Sequence, residues 1–269
     1  MTSAREIAPA KLNLALHVRG KLPDGRHAIE TLFAFCTDGD RLNAEKADSF
    51  SLKLSGSFAD GLSADRDNLV WRAADALRER SGTSENATIR IEKNLPIAAG
   101  LGGGSADAAA ALRLLTSLWN IDPIHAEHVA PALGSDVPAC LLSLPARGTG
   151  PGDRLTHVAM PELSGTPVLL VNPRLPLSTS DVFAGWDGVD GGPLGDWRGG
   201  RNDLQGPAIK LVPQVESVLA WLSLQSGVTF SRMSGSGATC FALFDSESAR
   251  DEAAAAVPRE WWRLPTHLR

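Results

Sequence analysis

A chain of 269 residues is long for one compact unit at roughly 150 residues per domain, so two lobes are expected, and a 43% apolar content supplies a core for each. The formal net charge of −5, with no run of Lys or Arg, argues against nucleic acid or an anionic membrane surface as partner. No apolar run approaches the ~20 residues of a membrane span, and the first residues, with Arg5, Glu6 and Lys11, lack the apolar core of a signal peptide, so a soluble cytoplasmic protein is expected.

Metal and disulfide chemistry find little footing. Cys36, Cys140 and Cys240 are odd in number and far apart, without C-x-x-C spacing, and read as small buried hydrophobes. Among six histidines, His125 and His128 lie close together, but an i, i+3 pair without a third ligand reads as a solvated helix face.

Residues 9–19 alternate, with Leu12, Leu14, Leu16 and Val18 on one side and Lys11, Asn13 and His17 on the other, which predicts a half-buried strand. Lys11 and Asn13 then share a face that is either a polar exterior or the wall of a cleft. Pro23-Asp-Gly-Arg-His27 is a turn between two strand-like runs. Residues 31–35 and 50–54 read as strands. Asp67-Asn68 opens a helix whose stripe is Val70, Ala73, Ala74 and Leu77, with Gly82 as its stop. A strand around Ile89 and Ile91 follows.

It leads into Asn94-Leu-Pro-Ile-Ala-Ala-Gly100-Leu-Gly-Gly-Gly-Ser105, on which the rest of the chain is organised. Gly100, Gly102, Gly103 and Gly104 lack Cβ atoms, so several backbone N–H groups can converge on one point. Ala108, Leu112, Leu115 and Trp119 then recur on one face of a helix. A glycine loop that ends at a helix N-terminus favours phosphate, because unpaired N–H groups and the positive end of the helix dipole meet there. Ser105 can cap the helix or help hold a phosphate-bound metal. No Lys follows the last glycine, which excludes a Walker loop, and Ser105 stands where a Rossmann fingerprint needs its third glycine. A glycine-rich helix entry that binds nothing is the bland alternative.

Beyond that helix, Leu133-Gly-Ser-Asp136-Val-Pro138 places an acid at a turn before an apolar run, where aspartates commonly serve as local caps. Residues 145–166 and 184–201 are rich in Gly, Pro and Asp and read as loops, with a lobe boundary near 150–165. The second half reads strand (167–171), helix (213–224), two strands flanking Ser234-Gly-Ser-Gly237, helix (246–256), and a last strand at Trp261-Trp262. That is the order of a ferredoxin-like lobe, and the whole is α+β rather than a repeated βαβ pattern. Gly235-Ser236-Gly237 either closes over the first glycine loop or is a tight hairpin.

Four stretches together, Pro9-Ala-Lys-Leu-Asn-Leu14 with Asp24-Gly25-x-His27, Leu95-Pro96 through Ser105-Ala-Asp107, Gly134-Ser-Asp136-Val-Pro138 and Ser234-Gly-Ser-Gly237-Ala238, resemble the GHMP kinases in order and spacing. That is the family of galactokinase, homoserine kinase and mevalonate kinase. The first and third stretches resemble the branch that acts on a cytidine diphosphate alcohol, whereas the glycine loop marks the superfamily.

The resemblance implies an N-terminal lobe like domain 2 of ribosomal protein S5 over residues 1–155 and a ferredoxin-like lobe over 156–269, with the substrates meeting in a cleft. It implies ATP as phosphoryl donor, its phosphates on Pro96, Ala98, Ala99, Gly100, Leu101, Gly102, Gly103, Gly104, Ser105 and Ala106, and its adenine near Asn68 and Lys93. Mg²⁺ would come bound to the phosphates rather than in a protein cage. Asp136 would accept the hydroxyl proton beside Lys11. For the second substrate the resemblance implies His27 and Phe183 at the base, Asn13 and Thr179 at the polyol, and contributions from Gly235, Ser236 and Gly237. Arg26 stands where the family has Tyr, in a chain with no tyrosine; its plane can stack on a base or grip the diphosphate. Asn202-Asp203 matches a family pair without an evident role. A monomer or weak homodimer is expected. Two alternatives stay open: a GHMP kinase for mevalonate, homoserine or a sugar, and a non-catalytic sensor with the same fold.

Overall fold

A computed structural model describes residues 3–269, and side chains from residue 4 onward. The chain forms two compact units that do not follow sequence order. The first comprises the chain up to Ala10, Asp38–Ile97 and Gly102–Ser143; the second comprises Lys11–Thr37, Ala98–Leu101 and Leu144–Arg269. The long strands β1 (Ser3–Lys21) and β2 (His27–Ala47) and the glycine loop therefore each run from one unit into the other.

In the first unit, β4 (Asn86–Glu92) pairs antiparallel with the second half of β2 and parallel with β3 (Ser51–Ser55). Parallel neighbours need a crossover, and α1 (Leu69–Ser81) supplies it. Its ends follow the sequence: the Asn68 side chain accepts the Val70 N–H at 2.9 Å, and Gly82 closes the helix at φ 71. Val70, Ala73, Ala74 and Leu77 are its buried stripe, as expected.

Helix α2 (Gly103–Trp119) is buried around most of its girth, not along the single face that its period suggests. Ala106 and Ala108–Ala111 are small enough for α1, α3 (Ile124–Leu133) and α4 (Val137–Leu142) to pack close, so even the "polar" side is covered. Arg113 is the charged exception, its guanidinium donating to Glu6 at 3.0 Å and to the Cys140 carbonyl at 2.9 Å. His128 lies on the exposed side of α3, and the three cysteines are buried and unbridged.

The second unit carries a four-stranded antiparallel sheet in the order β10 (Trp262–His267), β7 (Pro167–Asn172), β9 (Cys240–Phe244), β8 (Val228–Met233). With α7 (Gln214–Ser223) between β7 and β8, and α8 (Glu247–Ala256) between β9 and β10, this is the ferredoxin-like arrangement. Leu169, Val171, Val215, Val218, Leu222 and Phe244 form its core. Two short helices, α5 (Thr179–Ala184) and α6 (Gln205–Leu211), are inserted after β7.

Two expectations are corrected. Part of 145–166 is a hairpin, β5 (Ala146–Thr149) and β6 (Arg154–His157), with β5 paired to the first half of β2. Its strands are four residues each and mostly polar, so no hydrophobic period marks them. The strand over 9–19 is not half-buried: Lys11, Asn13 and His17 are only 4%, 2% and 2% exposed. Its polar side is covered by other parts of the second unit. The Leu16 N–H donates to the Arg201 carbonyl at 2.9 Å, and His17 hydrogen-bonds the Gly192 carbonyl at 3.1 Å while accepting the Arg201 N–H.

Candidate functional site

The glycine loop is built for a ligand on its helix side. Gly102 holds the N-cap position of α2 at φ 64, so no side chain covers the first N–H groups, and the first turn carries no acid. A Cβ built on Gly104 would meet nothing within 4 Å, and this residue is exposed. Ser105 follows on the first turn, half-buried, and Ala106 is buried beneath it. An open, uncapped start to a 17-residue helix fits a phosphate group by charge and by shape.

The loop side is bound tightly within the second unit. A Cβ on Gly100 would stand 2.2 Å from the Ser234 carbonyl oxygen and 2.9 Å from the Gly237 nitrogen, and Ser234 Oγ donates to the Gly100 carbonyl at 2.9 Å. The second glycine turn, Gly235-Ser236-Gly237, thus packs backbone to backbone on Gly100. Ala99 accepts the Thr239 N–H at 3.2 Å, and Ala98 sits at φ 50.

A chain of polar contacts joins this turn to β1. The Asn13 N–H donates to Ser234 Oγ at 3.2 Å, and Asn13 Nδ2 donates to Thr31 Oγ1 at 2.7 Å. Thr31 Oγ1 in turn donates to the Ala15 carbonyl at 2.6 Å. This fixes the amide so that Oδ1 accepts Lys11 Nζ at 3.0 Å, with the ammonium 5.2 Å from the centre of the Phe33 ring. The Lys11 N–H donates to the Leu101 carbonyl at 2.9 Å. Thr179 Oγ1 lies 3.0 Å from Ser236 Oγ.

Asn202 and Asp203, without a role in sequence, are fasteners. Asn202 Nδ2 donates to the carbonyls of Met233 and Gly235, both at 2.8 Å, and Asp203 Oδ2 accepts the Val18 N–H at 2.7 Å.

In the first unit, Asp136 stands at the head of α4 and does not cap it with its side chain. Pro96 is buried at the start of the loop. Asn68 has both ends of its amide engaged, Oδ1 as the cap of α1 and Nδ2 on the Ser63 carbonyl at 2.7 Å. The Lys93 ammonium is buried between the carboxylates of Asp40 and Asp107 and hydrogen-bonds both. Asp40 Oδ1 also accepts the Leu95 N–H at 2.8 Å, whereas Asp107 Oδ1 has no partner. Burial, aided by Asp40 and opposed by Lys93, pushes the Asp107 carboxyl up to about 8.

Around His27 the second unit has a cavity of about 330 Å³, lined in part by Lys21, Phe183, Trp186 and Asp187. His27 and Phe183 stack at 4.9 Å, and Trp186 stands edge-on to His27 at 5.7 Å. Burial and then Lys21 lower the His27 pKa. Arg26 points elsewhere: its Nε donates to Asp24 Oδ2 at 2.8 Å on the exposed turn. Trp186 lies in no motif of the sequence. Its signal is its place three residues after Phe183, where its N–H donates to the Phe183 carbonyl at 3.2 Å and turns the chain back.

Residues 68–143 match the N-terminal domain of the GHMP kinases and residues 190–264 their C-terminal domain. The chain belongs to the GHMP kinases, ATP-dependent kinases of small molecules. Within that family it is 51% identical to the 4-diphosphocytidyl-2-C-methyl-D-erythritol kinase of Rhizorhabdus wittichii, over 98% of this chain and 94% of the relative. It is 48% identical to the same-named kinase of Novosphingobium aromaticivorans, over 99% and 93%. A crystal structure of a 4-(cytidine 5'-diphospho)-2C-methyl-D-erythritol kinase superposes with a TM-score of 0.82 at 34% identity, covering 98% of this chain and 99% of that one. Homoserine kinase from Cytophaga hutchinsonii shares the fold, with a TM-score of 0.71 at 15% identity over 100% and 95%. Among the described residues, no helix is long and apolar enough to cross a membrane.

Proposed function

We propose that the chain transfers the γ-phosphoryl group of ATP to the 2-hydroxyl of 4-diphosphocytidyl-2-C-methyl-D-erythritol, in the non-mevalonate route to isoprenoid precursors, and that it works in the cytoplasm. The observation that carries this reading is the near full-length identity of 51% to a kinase of that name. The aromatic cavity at His27 and Phe183 supports it by offering ring faces and a polar edge to a base. Along the chain we assign 1–155 to nucleotide binding and 156–269 to the ferredoxin-like lobe.

Phosphoryl transfer passes through a loose transition state, so positioning and charge neutralisation outweigh base strength. Residues 96–106 would hold the triphosphate, with the N–H groups of Gly103, Gly104 and Ser105 meeting its charge at the start of α2. Mg²⁺ would arrive on the phosphates and neutralise the charge between them, and the Ser105 hydroxyl is an oxygen ligand of the right hardness beside them. Among the described residues no group of three or more His, Cys, Asp or Glu side chains is placed to cage a metal.

We assign to Asp136 the proton of the attacking hydroxyl. A carboxylate is a weak base, which suffices because that proton leaves late. Lys11, held by Asn13, supplies positive charge to the attacking oxygen. Asn13 and Thr179 face the polyol, with Gly235, Ser236 and Gly237 beneath them, and His27 and Phe183 take the base. Asn68 and Lys93 reach the adenine only with what their structural contacts leave over.

The test is ADP release by the purified protein with ATP, Mg²⁺ and the cytidyl substrate, beside mevalonate, homoserine and galactose. Turnover with the cytidyl substrate alone is expected, with kcat about 10²- to 10⁴-fold lower in Asp136→Ala. Turnover with another alcohol in its place, or none with any, overturns the assignment.

A further inference from the structure

We propose that Trp186 is a wall of the nucleobase cavity and determines how tightly the cytidine end of the substrate is held. This rests on the function proposed above. Three observations lead to it, all within the second unit.

The residue beside His27 in sequence is not available for the task. The Arg26 guanidinium is paired with Asp24 on the exposed turn, and Arg26 is not among the residues that line the cavity. With no tyrosine in the chain, any second ring must come from a tryptophan or a phenylalanine.

Trp186 is in place to provide it. Its ring stands at 86° to that of His27, while Phe183 lies against His27 at 27°. The three rings therefore present faces in two directions around one small space. Trp186 also borders a neighbouring cavity of similar size, about 330 Å³, with Arg201, Asp203 and Lys210 on its far side. It is thus a partition between two hollows, partly buried against the core of the second unit. At 330 Å³ the first hollow lies at the small end of ligand sites, which suits a single-ring base.

The cavity also holds a polar atom in need of a partner. His27 Nε2 is buried and makes no hydrogen bond within the protein. Buried polar atoms are almost always paired, and burial keeps the imidazole neutral near pH 7, so this nitrogen suits the edge of a heterocycle. A base that pairs with it in the imidazole plane lies at a steep angle to Trp186, which closes the cavity against that base edge to face, while Phe183 is the ring nearer to parallel.

The experiment is calorimetric binding of CDP, read beside steady-state kinetics, for wild type, Trp186→Ala and Trp186→Phe. Loss of an edge-to-face aromatic contact together with the buried wall weakens binding about three- to tenfold. Trp186→Ala should raise the Kd for CDP and the KM for the cytidyl substrate by such a factor, leaving the KM for ATP in place. Trp186→Phe should recover most of the loss, and quenching of tryptophan emission by CDP, present in wild type, should fall in that variant. If Trp186→Ala does not fold, Trp186→Leu, which keeps bulk without a π face, is read in the same way. CDP binding unchanged within twofold in the Ala or Leu variant overturns the role of Trp186. Wild type that ignores CDP while phosphorylating another alcohol overturns the substrate assignment, and the inference with it.

Discussion

Lys93→Met removes the cation buried between Asp40 and Asp107, directly behind the glycine loop. Asp40 is 0% exposed and Asp107 5%, so neither carboxyl can turn to water. Asp40 Oδ1 accepts the N–H groups of Asn94 and Leu95. Asp107, pushed up to about 8, keeps its proton at neutral pH. Without the ammonium, two buried carboxyl groups are left side by side with no cation between them. Breaking a buried pair in this way costs about 3–5 kcal/mol, or on the order of 10 °C in Tm for a chain of this size.

The same trio sets a pH dependence. The folded chain keeps a proton on Asp107 that the unfolded chain releases above the ordinary carboxylate range. The associated stability is complete below pH ~4 and is lost as pH rises towards about 8, at up to about 1.4 kcal/mol per pH unit. Asp107→Asn keeps the shape without the proton, so wild type should lose stability relative to this variant between pH 5 and 8. Urea unfolding of wild type, Lys93→Met and Asp107→Asn across that range is the assay. Lys93→Met within about 1 kcal/mol of wild type at pH 7 would refute the reasoning, as would parallel curves for wild type and Asp107→Asn.

The two ends of the glycine loop should respond in opposite ways to one added methyl. Gly100→Ala drives a Cβ into the Ser234 carbonyl at a φ of 74, and thermal melts should show a loss of several kcal/mol or no folded protein. Gly104→Ala meets open space on a helix, where Ala is favoured by about 1 kcal/mol; its Tm should hold or rise while the KM for ATP climbs, and an unchanged KM would remove the phosphate from that spot. Asn68→Ala loses the cap of α1 and should cost about 1 kcal/mol in chemical unfolding.

The parts of the fold that sequence reveals are those with a local cause. Helix α1 is bounded by a cap and a glycine that act on their own neighbours, and in the second half β7 and α7 are marked by Val and Leu, β9 by Phe and Leu, and α8 by its Ser246 cap. Helix α2 shows the limit. Its four-residue stripe is real, but burial of the opposite side depends on α1, α3 and α4, which no local period reports. The same holds for Lys11, Asn13 and His17, whose alternation gives a polar face but not the segment 201–203 that covers it. Hairpin β5–β6 is too short and too polar to announce itself.

At the candidate site, the glycine loop is legible because its spacing is the signal, whereas Asp136 reads as a local cap and takes its proposed role only from the resemblance. The resemblance supplies His27 and Phe183. Trp186 could be found only once α5 had turned the chain back towards β2, and the pairing of Lys93 with Asp40, 53 residues away, is reported by no local spacing.

The discontinuous make-up of the two units constrains how the protein can be made. The first unit has all its segments once Ser143 has been synthesised, although two stretches of the second, Lys11–Thr37 and Ala98–Leu101, are threaded between them. The second unit must wait for the last residues, because β10, which ends at His267, is one of the four strands of its sheet. During translation from the ribosome, half of β1 and half of β2 therefore belong to a body that is still missing most of its chain. No contiguous fragment can be cut out as either unit alone, and a stop codon anywhere before β10 truncates the second unit's sheet.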